Sequence, residues 1–368
     1  MNHKMSLLSE KYKNWIIAKA DKSLMEIPMH ITDVTSDQSP GGIHDYYSNG
    51  DYWWPNPETS NGLPYIQRDG ESNPNCFTAH REILRHTRTN IAHLAAGYLL
   101  ADKEVYAEKA IQFLKEFFID DATKMNPHLL YAQAIPGICS GRGIGIIDTL
   151  HLIDIPMAIE TIQHSSSCTP AIFEQLKNWF KDYLQWIRTH PYGIDEMNAH
   201  NNHSVCWYAQ AACFAQFISN NEILDYCTKQ FKDVLIPEQM ALDGSFPHEL
   251  ARTKPYGYSI FVLDNLTTLC HILSNYGGNL WEFKLEDGRG IAKAFDFLYP
   301  YILNKNAWPY KKDVEAFDDW PVNVSSLLFA GLALNEEKYI ALWEQLEIES
   351  ANREIRRNVA IRQPILWL

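Results

Sequence analysis

The chain has 368 residues and a net charge of −13, from 45 acidic against 32 basic side chains, and aromatics make up 12% of it, including 11 Trp and 19 Tyr. Its 46% apolar content is that of a folded protein rather than a disordered one, and no apolar run approaches the ~18 residues of a transmembrane helix. So acidic a chain lacks the basic field that phosphates need, which argues against nucleic acid as a partner. The Trp and Tyr excess belongs either in a core or on the wall of a carbohydrate cleft, where a flat ring meets the C–H face of a sugar.

In chain order, the N-terminal stretch Met1-Asn-His-Lys-Met-Ser-Leu-Leu8 lacks a charged-then-apolar signal, so the chain as written is expected in the cytoplasm, or in the periplasm or outside the cell if a signal has been removed. Residues 38–75 are rich in Pro, Gly, Asn and aromatics and read as an ordered loop. Trp53, Trp54, Tyr65 and Arg68 in it are candidates to line a sugar-binding cleft. Beyond residue 76 the pattern is helical. Ile83, Leu84, Ile91, Leu94, Ala95, Tyr98 and Leu99 recur at three and four spacing, as do Val105, Ala110, Ile111, Leu114, Phe117 and Phe118. Further helices are expected near 143–164, 170–188, 202–219, 221–235, 258–275, 289–303, 323–333 and 336–348, with strand pairing only around 240–250.

About ten tandem helices without a solenoid repeat predict an all-α chain, an α/α toroid: an incomplete barrel of antiparallel helical hairpins. The expectation is one domain over 1–368, with 38–75 an extension contributing to the cleft. Seven Cys without a CxxC pair suggest neither a disulfide framework nor a zinc site, and Cys206 and Cys213 fall on one apolar helix face. Oligomeric state is left open.

Three stretches carry candidate chemistry. In Asn198-Ala-His200-Asn201-Asn202-His203-Ser204, polar side chains crowd a helix start where one cap would suffice. His200 and His203, with or without Glu196, have metal-ligand spacing but no supporting pattern, so no metal is expected. In Asp243 to Ser259, Arg252 and Tyr258 lie across a Pro and a Gly just before a helix, and Glu249 is an ordinary partner for Arg252. Gln133 is followed by Gly141-Arg142-Gly143-Ile144-Gly145, which fails the phosphate-loop spacing and reads as a tight helix start exposing Arg142.

Asn, His, Arg and Tyr from helix starts suit β-elimination on a uronic acid. Removing the C5 proton adds negative charge to the neighbouring carboxylate, so donors must neutralise it where the charge develops. A base takes the proton and an acid protonates the departing O4. A Tyr beside a cation can ionise and act as the base. In mannuronate and glucuronate H5 and O4 share a face, so one Tyr can serve both roles. Guluronate needs a group on each face, for which His203 is the second candidate. No cofactor is needed.

The sequence resembles the alginate lyase family of polysaccharide lyases. The resemblance lies in Asn201-Asn202-His203-Ser204 opening a helix, in Glu249-Leu250-Ala251-Arg252 followed by a Tyr, and in Asp45-Tyr46-Tyr47 with Tyr52-Trp53-Trp54-Pro55-Asn56-Pro57, over roughly residues 40–330. It implies an α/α toroid, an acidic polysaccharide or oligosaccharide as substrate, and an active site of an Asn-His pair, an Arg and a Tyr, carried over to Asn202, His203 and Arg252. The family's Tyr lies seven residues after the Arg, a place held here by Ser259, so Tyr258 is the closest match and Tyr256 the next. Gln133, Arg142, Trp53, Trp54, Tyr65, Arg68, Tyr256 and His200 are the candidate substrate-binding residues. The substrate expected is poly-mannuronate, mixed alginate or glucuronan. Two other readings stay open. A glycoside hydrolase on the same toroid needs two carboxylates ~5–10 Å apart, from Asp45, Asp148, Glu249 and Asp318. A non-catalytic carbohydrate binder would use the polar cluster only for capping.

Overall fold

The computed structural model describes residues 8–368, so most of the N-terminal stretch read for a signal lies outside the described residues. Two compact units emerge. The first takes the chain to Ile66, then Asn73–Gly193 and Ile361–Leu368, and the second takes Gln67–Ser72 and Ile194–Ala360.

The first unit opens with helix α1 (Glu10–Leu24), capped by the Ser9 hydroxyl. Its buried Tyr12, Ile16, Ala20 and Ser23 fall on one stripe of otherwise polar sequence. It packs on α2 (Ala79–Ala101), and Gly97 makes the approach possible, since a Cβ there would sit 2.4 Å from the Ala20 methyl. An amphipathic α3 (Glu104–Phe118) covers another side of α2. The aromatic segment is a loop with three short strands, β1 (Tyr47–Asn49), β2 (Trp53–Trp54) and β3 (Ile66–Gln67). Strand β4 (Tyr131–Ala134) runs parallel to β1 with an irregular register between Tyr47 and Asn49. Strand pairing at β1 and β4 was not expected. Two neighbouring strands this short carry little alternation to read.

The helix expected at 143–164 starts as a 3-10 helix, Gly143–Ile153, and becomes α4 (Asp154–Ile162). Glycine is a poor helix former, and Gly145 leaves no room for a side chain, because a Cβ would meet the Ala132 methyl at 2.5 Å. Helix α5 (Pro170–Thr189), with Thr169 as cap and Pro170 in its first turn, buries Leu176, Trp179, Phe180, Tyr183, Leu184 and Ile187. The returning C-terminal segment is held on Asp154, which accepts from the Arg362 amide and the Trp367 indole at 2.5 and 2.9 Å.

Helix α6 (Pro191–Met197) leads into the second unit. There α7 (Asn202–Phe217) is buried on nearly all sides. Helix α8 (Asn221–Gln230) runs through a π turn, Phe231–Leu235, into α9 (Ile236–Gln239). No strand forms at 240–250, which corrects that expectation. Gly244, at φ +92°, reverses the chain against the Lys293 backbone, and α10 (Pro247–Leu250) follows as one helical turn. The long α11 (Pro255–Gly277) packs on α7, on α12 (Ile291–Leu303) and on α13 (Ser325–Ala333). Helix α14 (Glu337–Gln345) forms a hairpin with α13, and α15 (Arg353–Arg357) is a short C-terminal helix.

Distant carboxylates cap these helices. Asp313 accepts from the Tyr256 and Gly257 amides of α11, both at 2.8 Å. Asp264, on α11, accepts from the Ser326 amide and the Ser325 hydroxyl of α13 at 2.8 and 2.9 Å. Each satisfies first-turn donors that have no partner within their own helix. Cys206 and Cys213 are buried on α7. Among the described residues no helix is long and apolar enough to cross a membrane, and no group of three His, Cys, Asp or Glu is placed to hold a metal.

Candidate active site

In the second unit the two polar motifs meet at helix starts. The Asn201 side chain caps α7 by accepting from the His203 amide at 3.2 Å. Gln239 ties down the same turn through the Asn201 carbonyl and the Ser204 hydroxyl, at 2.9 and 2.8 Å. Asn202 donates its amide N–H and its Nδ2 to the two oxygens of Glu249, at 2.7 and 2.8 Å. Glu249 is fully buried. Burial raises its pKa, against the lowering effect of the Asn202 bonds, Arg252 and His203. His203 places Nδ1 2.7 Å from Oε1 of Glu196, itself buried on α6. Burial of the ring lowers the imidazole pKa, but the charge and hydrogen bond of Glu196 and the charge of Glu249 outweigh it, and the net direction is upward.

Arg252 does not make the ordinary pair with Glu249 that a plain surface loop would give it. It donates through Nη2 and Nε to Asp69, at 2.7 and 3.2 Å, and the Thr253 hydroxyl joins at 3.0 Å. Gly70, at φ +79°, brings that loop onto Thr253, where a Cβ would clash at 2.3 Å. Nη2 of Arg252 also lies 3.3 Å from the Tyr258 hydroxyl, and its Cζ stands 4.4 Å from the ring centroid. Burial lowers the Asp69-bound guanidinium's pKa, yet Asp69, Tyr258 and Glu249 together raise it, so it stays charged. Arg252 is within electrostatic reach of both His203 and Glu249, so Asn202, His203, Arg252 and Tyr258 form one cluster.

Helix geometry sets the two tyrosines in different surroundings. At about 100° per residue, Tyr256, Gly257 and Tyr258 face different ways. Tyr256 is fully buried and donates to the Tyr301 carbonyl at 3.0 Å, which corrects its place among the substrate-binding candidates. Gly257 packs on Trp320 and Asp313, and Tyr258 is left half-buried beside Arg252. His200 is likewise apart: its side chain is 79% exposed and 3.9 Å from Glu238, so it shares no site with His203.

The first unit holds a second cluster. Arg142 is half-buried rather than exposed, lies 5.7 Å from the Trp53 ring centroid, and donates to the carbonyl and Oε1 of Gln133 at 3.0 and 3.1 Å. Gln133, at φ +51°, donates Nε2 to Asp148 at 3.0 Å. Asp148 also accepts from Ser48 and from Nε of Arg81, at 2.6 and 2.9 Å. Arg81 reaches on to Asp51 and the Asn49 carbonyl. Trp54 and Tyr65 of this unit are half-buried, and Arg68, which belongs to the second unit, is exposed. Of the carboxylates a hydrolase would use, Asp148 and Glu249 are committed to these bonds, Asp45 accepts from Gly42 and Asn126, and Asp318 is exposed on its 3-10 turn.

Residues 31–308 match the alginate lyase family. The chain belongs to that family. An alginate lyase from Bacteroides ovatus is 33% identical, with a TM-score of 0.85 over 95% of this chain and 92% of that one. Alginate lyase A1-III from Sphingomonas species A1 shares the fold at 17% identity and a TM-score of 0.55, over 87% of this chain and 84% of that one. A variant of A1-III complexed with a tetrasaccharide gives 16% and 0.56, over 87% and 83%. No curated protein matches the sequence. As a family member the chain is a polysaccharide lyase of the all-α, α/α-toroid class that its helical pattern predicts. Sequence reasoning missed the carboxylates behind this alginate-lyase-family cluster. Asp69 lies far from Arg252 in the chain, and Glu196 and Glu249 drew attention for other roles.

Proposed function

We propose that the protein cleaves a uronic-acid polymer, alginate first and glucuronan as a further substrate, by β-elimination. The contact between Arg252 and Tyr258 supports this most. A guanidinium 3.3 Å from a phenolic oxygen stabilises its ionised form, which makes Tyr258 a base for the C5 proton. The C5–H bond breaks, the C4–C5 double bond forms, and the C4–O4 bond breaks. The protonated Tyr258 then returns its proton to O4. Asn202, His203 and Arg252 neutralise the carboxylate as charge builds on it.

Trp53, Trp54, Tyr65, Gln133 and Arg142 of the first unit, and separately Arg68 of the second, are proposed as substrate-binding residues. Arg142 supplies a cation beside a flat ring, suited to a sugar acid. Gly50 keeps that pair together, because a Cβ would lie 2.7 Å from Trp53 and 2.8 Å from Arg142. Gly50→Ala is expected to raise KM ~3- to 10-fold with little change in kcat, as measured by steady-state kinetics.

The test is incubation with purified poly-mannuronate, poly-guluronate and glucuronan. A lyase releases ultraviolet-absorbing unsaturated ends, a hydrolase gives reducing ends without that absorbance, and a binder gives neither. Reducing ends alone, or no product from any of the three, would sink the proposal.

A further inference from the structure

We propose that Glu196 is a positioning residue that holds His203 as an imidazolium, with Nδ1–H on the carboxylate and Nε2–H toward the substrate, so that His203 donates to the uronate and leaves proton abstraction to Tyr258 alone. The inference rests on the lyase reading above and deepens it. It confines efficient cleavage to uronates whose H5 and O4 share a face.

The geometry is specific. Glu196 is 2% exposed and its Oε1 lies 2.7 Å from Nδ1; an ionised carboxylate only accepts, so in the proposed pair Nδ1 carries the proton. That leaves Nε2 as the nitrogen able to meet a ligand. The charges around the ring come from every neighbouring element. Glu196 stands on α6, Glu249 on α10, and Arg252 just after it. On α7 itself the nearest titratable group is Cys206, whose thiol burial keeps protonated.

The balance of these groups favours a cation. Three carboxylates, Glu196, Glu249 and Asp69, surround the cluster, and the guanidinium of Arg252 is engaged by Asp69. An anionic substrate entering such a site needs a further positive charge, and His203 is the titratable side chain of the cluster able to supply it. The upward direction of its pKa agrees with this assignment. A neutral His203, by contrast, would leave the substrate carboxylate facing a surplus of acid and would offer a second base on the opposite face.

The test compares wild type with Glu196→Gln, which keeps an accepting oxygen and removes the charge, and with Glu196→Asp, which keeps the charge. Ring-nitrogen NMR of His203, assigned with His203→Gln, reads the protonation directly and needs no turnover. The expected result is a ring protonated on both nitrogens at neutral pH in wild type, with its titration moved to lower pH in Glu196→Gln and largely restored in Glu196→Asp. In kinetics, the alkaline limb of kcat/KM moves the same way, and wild type favours poly-mannuronate over poly-guluronate by about 10²-fold or more. An unchanged His203 titration in Glu196→Gln, or equal wild-type rates on the two polymers, overturns the inference. Should no uronate polymer yield unsaturated product, the lyase reading fails on that result, and the NMR titration still decides the role of Glu196.

Discussion

Tyr258→Phe is expected to lower kcat/KM for unsaturated-product formation by about 10³-fold or more, because one hydroxyl serves as base and then as acid. The fold should not notice. The ring stays over the Arg252 guanidinium at 4.4 Å, and Asp69 still holds that guanidinium, so the melting temperature stays near that of wild type. Tyr256→Phe is the matching control. It removes a buried bond to the Tyr301 carbonyl, costing about 1 kcal/mol of stability, and leaves kcat intact. Full activity in Tyr258→Phe, or loss in Tyr256→Phe without unfolding, would reverse the assignment of the two tyrosines.

Glu249→Ala is expected to damage both stability and rate. Its carboxylate is the acceptor for the first amide of α7 and for the Asn202 side chain, in a place without solvent. Stranding two buried donors costs about 2–4 kcal/mol, part of the full penalty being offset because a carboxyl group no longer has to be buried. With Asn202 no longer held, kcat/KM falls about 10²-fold, the scale of losing one fixed donor to a developing charge. Chemical denaturation and initial rates measure the two effects separately. Glu249→Gln keeps one acceptor and should fall between wild type and Ala in both. Wild-type kcat in a destabilised Glu249→Ala would mean that Asn202 needs no such support.

Much of this was legible in the chain. The helices expected at 170–188, 202–219 and 258–275 are legible from their periodic apolar residues, and the last begins three residues earlier than the pattern put it, at Pro255, which brings Tyr258 inside its first turn. The crowding of Asn and His at the start of α7 drew attention to the candidate site because capping uses only Asn201. Helix α1 escaped notice because just one narrow stripe, Tyr12 to Ser23, is buried within a charged sequence. Asp69 and Asp313 were invisible for a different reason. Each acts on a segment far away in sequence, and no local pattern records which amide or guanidinium a loop carboxylate will meet. Glu249 was legible only as an ordinary partner for Arg252 or as a hydrolase carboxylate, whereas the helical turn of α10 directs it to Asn202.

The cap that Asp313 places on α11 bears on how still the Tyr258 hydroxyl is. The first turn of a helix is ordinarily where it frays, since its amides lack partners. Tyr258 sits in that turn, and a hydroxyl carried on a fraying end would wander by distances that matter to proton transfer. Here the turn is clamped: Pro255 presets its backbone, Asp313 takes the Tyr256 and Gly257 amides, and Gly257 seats against the Trp320 ring. Tyr258 thereby has the reach of a terminal residue and the steadiness of one in mid-helix. These contacts lie within the chain itself, so the hydroxyl proposed as the base is positioned without help from a polymer chain.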